Sequence, residues 1–349
     1  MLQNHFAHCN PVNPAEFTDP RPLHPTFSAN FTMFSRHLRL ACAAVAVFLV
    51  SLTIASAQEP ERIRDVIYTK HDGVALTMDI FKPANPNGAG VIKIISGGWK
   101  SNHNGISDGG WPKGGYTTFV VVHGSQPRFQ VEEIVADLNR AVRFIRAHAR
   151  EYGVDPMKLG VTGGSAGGHL SLMLATRGGA GDPNAKDPID RESSAVQAVA
   201  CFYPPSDYLN WFSEGDNAVG IGRLESYAAA FGPKAATPEG REKLGKELSP
   251  IYWVHQGQPP IYIVHGDADP QVSVTQSQRF FKRCGEVGVP CEVLIRQGAG
   301  HGGWQEMATE DTPRMMEWFD LQLLGKQPAK PFTLGVSSAP STPIKKAAK

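Results

Sequence analysis

The sequence predicts an α/β architecture: a mostly parallel central sheet with helices on both faces. Three observations lead there. Short apolar runs rich in β-branched residues alternate with longer segments of helical period, the pattern of strand–helix–strand units. The runs are compact and apolar, as strands buried on both sides are. The segment Gly163-Gly164-Ser165-Ala166-Gly167-Gly168 falls between such a run and a helical one, where a sharp strand-to-helix turn is expected.

Taken in order, residues 65–70 and 75–81 read as two strands joined around Asp72-Gly73, a hairpin signal. Residues 91–95 and 117–122 are two further strands. Over 132–151, Ile134, Val135, Leu138, Val142 and Ile145 recur at helical spacing with Arg140, Arg143 and Arg146 between them. A strand over 158–162 leads to Ser165, and 166–176 reads as a helix that begins in small residues. Strands follow over 195–202, 261–265 and 291–295, with helices over 274–287 and 306–324. Residues 206–250 break the alternation and carry Tyr208, Trp211, Phe212 and Tyr227. They read as a helical insertion or lid over the site, with plain surface decoration equally open.

The ends are of different character. Residues 1–32 are irregular. Residues 33–57 begin at Met33, carry Arg36, His37 and Arg39, run apolar from Leu40 to Ile54 and close on Ala55-Ser56-Ala57. Basic start, short hydrophobic run and A-x-A end match a signal peptide. The run is short for a membrane span, so the expected product is exported, with no stable membrane span after cleavage. The catalytic domain is placed at 58–325. Residues 326–349, dominated by Pro, Lys, Ser and Ala, are expected to be a disordered tail.

Composition narrows the function. The 349 residues are 41% hydrophobic and carry a formal net charge of +1, enough for one large core and without the basic excess of a nucleic-acid binder. Cys201, Cys284 and Cys291 follow the expected cleavage point. Export permits a disulfide, and Cys284 and Cys291 could pair. Cys201 reads as a buried thiol, and no C-x-x-C spacing suggests a metal site.

Ligands of parallel sheets bind beyond the carboxyl ends of the strands, and the informative residues sit there. Ser165 occupies a G-x-S-x-G turn that pushes its hydroxyl outward. A serine needs a base, and the base needs a partner that fixes its tautomer. His301, in Gly300-His301-Gly302 after the last strand, is the candidate base. Asp269 is the candidate orienting acid, with Asp267 as rival and His265 read as structural. The order Ser…Asp…His is that of one hydrolase family. Backbone donors for a developing oxyanion are expected from Ala166 and from Gly97 and Gly98 in the loop after residues 91–95.

These motifs resemble the α/β-hydrolase superfamily, and within it the carboxylesterase and feruloyl-esterase-like branch that includes hormone-sensitive-lipase-like enzymes. The most specific stretch runs through Tyr152-Gly153-Val154-Asp155-Pro156 to Gly163-Gly164-Ser165-Ala166-Gly167-Gly168-His169. His265-Gly266-x-x-Asp269-x-x-Val272 resembles the branch's acid motif, which favours Asp269. Ile95-Ser96-Gly97-Gly98-Trp99 departs from the usual H-G-G-G-W by the missing histidine and one glycine fewer. The resemblance implies the α/β-hydrolase fold and an exported serine hydrolase of carboxylic esters. Its substrate would be a small-molecule ester, with sugar-linked esters hinted, and it would need no metal or organic cofactor. Three alternatives stay open: a prolyl-oligopeptidase-like peptidase, an amidase, and a non-catalytic binding protein on the same fold.

Overall fold

The computed structural model describes residues 59–344. The upstream extension, the signal segment and residues 345–349 lie outside them. The sheet starts with two long strands, β1 (Glu61–His71) and β2 (Val74–Lys82), paired antiparallel around Asp72-Gly73. Seven more follow: β3 (Gly90–Ile95), β4 (Thr117–Val122), β5 (Leu159–Gly164), β6 (Ala198–Phe202), β7 (Ile261–Gly266), β8 (Cys291–Gln297) and β9 (Val336–Pro340). The spatial order is β1-β2-β4-β3-β5-β6-β7-β8-β9, parallel from β4 onward. This is the predicted architecture.

Side-chain alternation divides each central strand between two cores. Ile92, Val161, Val199, Cys201, Ile261 and Ile263 face one core, formed with the helices α1 (Val131–His148) and α2 (Ala166–Arg177). Val91, Ala198, Ala200, Tyr262 and Val264 face the other, where Trp318 and Phe319 of a C-terminal helix pack. Both faces are dry, so the strands read as apolar runs rather than as alternating ones. Helix α1 begins with a reciprocal cap between Gln130 and Glu133. It ends at His148, and residues 149–152 tighten into a 3-10 turn.

The 206–250 segment is not surface decoration. Tyr208, Trp211, Leu224, Phe231 and the helix α3 (Pro238–Leu248) pack into the first core. Two helices follow, α4 (Thr275–Val287) and α5 (Thr312–Leu324). The last is shorter than the 306–324 expected, because a π-helical turn occupies Met307–Asp311.

One expectation is overturned, and one question that the sequence left open is answered. The tail placed at 326–349 is structured as far as Ile344. Strand β9 pairs with β8 from Val293↔Val336 to Gln297↔Pro340. Glu292 accepts from the amides of Thr333 and Leu334, and Ile344 N–H donates to Gly303 O at 2.9 Å. Backbone hydrogen bonds hold this edge strand, and composition carries no trace of them. The domain therefore runs past 325. Cys284 and Cys291 are free, like Cys201, and all three are buried. A hydrogen bond with Cys284, together with burial, raises the Cys291 thiol well above its ordinary value, and a protonated thiol is a poor partner in disulfide exchange.

Arg296 on β8 ties these outer pieces together. Its guanidinium donates to Asp311 Oδ1 (Nε, 2.9 Å), to Glu310 (2.7 Å) and to the carbonyl of Pro340 on β9 (2.9 Å). Asp311 is fully buried and also accepts from Trp304 Nε1 at 2.7 Å. Arg296→Met would leave that carboxylate buried and half-paired, and breaking such a pair costs about 3–5 kcal/mol. The urea midpoint is expected to fall accordingly, and the double change with Asp311→Leu should recover part of the loss. An unchanged midpoint in the single variant would contradict the assignment.

Candidate active site

Ser165 sits directly after β5 with φ 54° and ψ −122°, a strained conformation that lifts its side chain off the sheet. The turn closes so tightly that a Cβ on Gly163 would lie 2.5 Å from the carbonyl oxygen of Gly167. On the other side of the elbow, Ser165 N–H donates to Phe202 O at 3.1 Å. The glycines are thus required by close backbone approach.

Asp269 and His301 follow β7 and β8 and reach the same rim. His301 Nδ1–H donates to Asp269 Oδ2 at 2.6 Å, and His301 Nε2 accepts from Ser165 Oγ at 2.8 Å. The carboxylate is fixed from behind: Oδ1 accepts from the amides of Gln271 (2.8 Å) and Val272 (3.0 Å). Burial works to raise its pKa. It is outweighed by hydrogen bonds from His265, His301 and the Val272 amide, which hold the carboxyl well below its ordinary range. Asp269 therefore carries its charge at neutral pH. Asp267, the rival, accepts from Gly298 N–H at 2.7 Å and shapes a turn. His265 is a buried structural residue between Ser277 Oγ (2.7 Å) and Val272 O (2.9 Å).

The loop after β3 corrects one residue. Gly97 N–H donates to Lys100 O at 2.9 Å, and Gly97 O accepts from Lys100 N–H at 3.0 Å, so the Gly97 amide is engaged. The carbonyls of Gly98 and Trp99 are both drawn to Gln126, at 3.4 and 3.1 Å. In a trans peptide the N–H points opposite the carbonyl of the preceding residue: Gly97 O is bonded to Lys100, so the Gly98 amide turns away from that bond, and Gly98 O is bonded to Gln126, so the Trp99 amide turns away from Gln126. Gly98 and Trp99 both have left-handed φ, 55° and 58°. Their amides and that of Ala166, in the first turn of α2, have no partner among the described residues, and all three residues line the pocket. Trp99 is not among the donors expected from the sequence. The direction of its peptide plane is a property of the fold.

That loop is buckled to the rest. Trp99 is buried, and its Nε1–H points at His169 Nδ1 at 3.4 Å. His169 Nε2–H in turn donates to Leu248 O at 2.7 Å. Trp99 also packs edge-on against Tyr227 and Phe231. Tyr203, at the end of β6, lays its ring against His301 with centroids 4.5 Å apart. Burial and the Asp269 charge push its phenol up to about 12, so it stays protonated. Tyr203 and Gln126 carry no role in the sequence reading, and His169 enters it only as the end of the Gly163–His169 motif; for Tyr203, its place after a parallel strand is the available signal.

The pocket holds about 600 Å³ and is lined by Ser165, His301, Tyr203, Trp211, Leu224 and Tyr227, among others. The site can deprotonate Ser165 through an imidazole oriented by Asp269 and can offer backbone donors to an oxygen anion beside it. Among the described residues there is no cluster suited to a metal ion, and no helix is long and apolar enough to cross a membrane.

The BD-FAE family model matches residues 78–284. The chain belongs to the BD-FAE family. The matched stretch contains Ser165 and Asp269, and His301 lies just beyond it. Esterase LipQ of Mycobacterium tuberculosis is 28% identical over 233 residues, covering 65% of this chain and 53% of that one. The acetylxylan esterase of Xylanibacter ruminicola is 26% identical over 128 residues, 36% of this chain and 27% of that one. The chain thus spans about half the length of the first relative and less of the second. Among solved structures, a truncated carbohydrate esterase from gut microbiota superposes with a TM-score of 0.67 at 24% identity, covering 77% of this chain and 99% of that one. That likeness establishes the α/β-hydrolase fold for this BD-FAE member.

Two buried histidines of the site region set a pH dependence. Burial lowers both His123 and His169 to about 4, partly offset by hydrogen bonds with the carbonyls of Gly124 and Leu248. In the unfolded chain they titrate near 6.5. Between about pH 4 and 6.5 the unfolded state binds more protons, so stability falls as pH drops through that window. Each histidine contributes up to about 3 kcal/mol to the loss. Urea midpoints at pH 7.5 and 4.5 should differ clearly, and the difference should shrink in His169→Gln. Equal midpoints would contradict it.

Proposed function

We propose that this protein is an exported serine hydrolase of carboxylic esters that works through an acyl-enzyme. The carrying observation is the hydrogen-bond relay Ser165–His301–Asp269, at 2.8 and 2.6 Å, beside unpaired backbone amides in one pocket. Ser165 Oγ forms a bond to the ester carbonyl carbon while its proton passes to His301 Nε2. Asp269 stabilises the imidazolium that results. The amides of Gly98, Trp99 and Ala166 receive the oxyanion, with Ser96 Oγ, which is buried and without a partner among the described residues, available to the same atom. The carbonyl re-forms as the carbon–oxygen bond to the alcohol breaks, and His301 returns its proton to the departing oxygen. Water then attacks the acyl-enzyme, His301 takes its proton, and Ser165 leaves with it.

Family membership and the names of the relatives support the ester as the bond cleaved. The acetylxylan esterase supports sugar-linked esters as a subset worth testing first. Export is supported by the pattern at residues 33–57. A fluorophosphonate probe should label Ser165, and a panel of matched aryl esters and anilides should show ester cleavage faster. A folded protein that neither reacts with the probe nor cleaves any ester would favour the binding-protein alternative. Faster anilide cleavage would favour an amidase.

A further inference from the structure

Arg223 is the one side chain with a permanent charge among those lining the pocket. It stands in a short helical turn, Gly222–Tyr227, contributed by the 206–250 insertion. Its guanidinium lies over the ring of Phe212, 4.8 Å from the centroid, a contact that holds a cation without neutralising it. Among the described residues it has no ion-pair partner and no hydrogen-bond acceptor. Ser226 and Gln271 line the same pocket, and their side chains are likewise without hydrogen-bond partners among the described residues. The carboxylate nearest the chemistry, Asp269, is buried behind His301 and taken up by His301 and two amides. An anion entering the pocket would therefore meet a free guanidinium and neutral donors, with no lining carboxylate to repel it.

We propose that Arg223 forms an anion subsite, and that the favoured substrates are esters carrying a carboxylate on their acyl or their alcohol part. A guanidinium suits this role because its planar fork matches a carboxylate and stays charged at every working pH. Ser226 and Gln271 supply further donors to the same group. This inference rests on the ester-hydrolase reading, and the test separates the two.

Two matched pairs decide it. 4-Acetoxybenzoate and 4-acetoxybenzamide place the charge on the leaving group. Monoethyl glutarate and its amide place it on the acyl side. In one pair, kcat/KM of the wild-type protein should favour the acid by about tenfold. That ratio should fall to within about twofold in Arg223→Gln, remain partly in Arg223→Lys, and shrink at high salt. No preference for the acid in either pair, or a preference that survives Arg223→Gln, overturns the proposal. Turnover of 4-nitrophenyl acetate in the same assay reports separately on ester hydrolysis. If no ester is cleaved, calorimetry with benzoate still tests the subsite. Binding weakened about tenfold by Arg223→Gln, with benzamide unaffected, supports it, and equal benzoate affinities overturn it.

Discussion

Ser165→Ala should lower kcat/KM toward an activated aryl ester by about a millionfold while leaving the fold intact. The size follows from how the parts act together: without the hydroxyl, His301 has no bound nucleophile to activate, and the remaining machinery is idle. What survives is the acceleration that backbone donors and binding supply to attack by water, about a thousandfold over solution or somewhat more. Stability should barely move. Serine and alanine meet the same strain at φ 54°, and the lost side chain makes one hydrogen bond, to His301 at 2.8 Å. Burst kinetics with 4-nitrophenyl acetate and a thermal melt make the comparison. A variant retaining a hundredth of the activity would remove Ser165 from the mechanism.

Asp269→Asn should cost about ten-thousandfold in kcat, for a reason that the surroundings of the carboxylate dictate. Oδ1 accepts two amides, those of Gln271 and Val272. An asparagine must keep its carbonyl oxygen there, because its NH2 group would confront two N–H donors. The NH2 then faces His301 Nδ1, which must present a lone pair. The ring proton moves to Nε2, where it points at Ser165 Oγ and blocks proton transfer from the hydroxyl. The neutral asparagine also gives no charge to stabilise the imidazolium. Asp267→Asn, by contrast, should change kcat by less than a few-fold, since Asp267 holds Gly298 N–H in a turn. Equal losses in the two variants would return the orienting role to the question that the sequence left between them.

Much of this arrangement was legible in the residues. Buried parallel strands declare themselves as short apolar runs, and the strand ends marked Ser165, Asp269 and His301 as neighbours in space. Two kinds of information were not legible. One is the orientation of peptide planes: that Gly97 turns its amide to Lys100, leaving Gly98 and Trp99 as donors, depends on Gln126 nearly thirty positions away. The other is edge pairing. Val336 to Pro340 is a mixed, largely exposed stretch, and its place beside β8 comes from main-chain bonds and from Arg296. The 206–250 insertion lies between the two kinds. Its aromatic residues hinted at a pocket, while their burial in the main core appears only once Trp99, Tyr208 and Phe231 are seen packed together.

The strand at the margin of the sheet also bears on how the domain should be produced. Ile344 grips the backbone at Gly303 and Gln305 grips that at Thr342, two and four positions from His301. An expression boundary drawn at Leu324 would cut away these lashings together with β9. The truncated product would lose the main-chain ties that hold the loop following His301. Affinity handles attached there would invite the same fault, and a handle on a spacer beyond Ile344 avoids it.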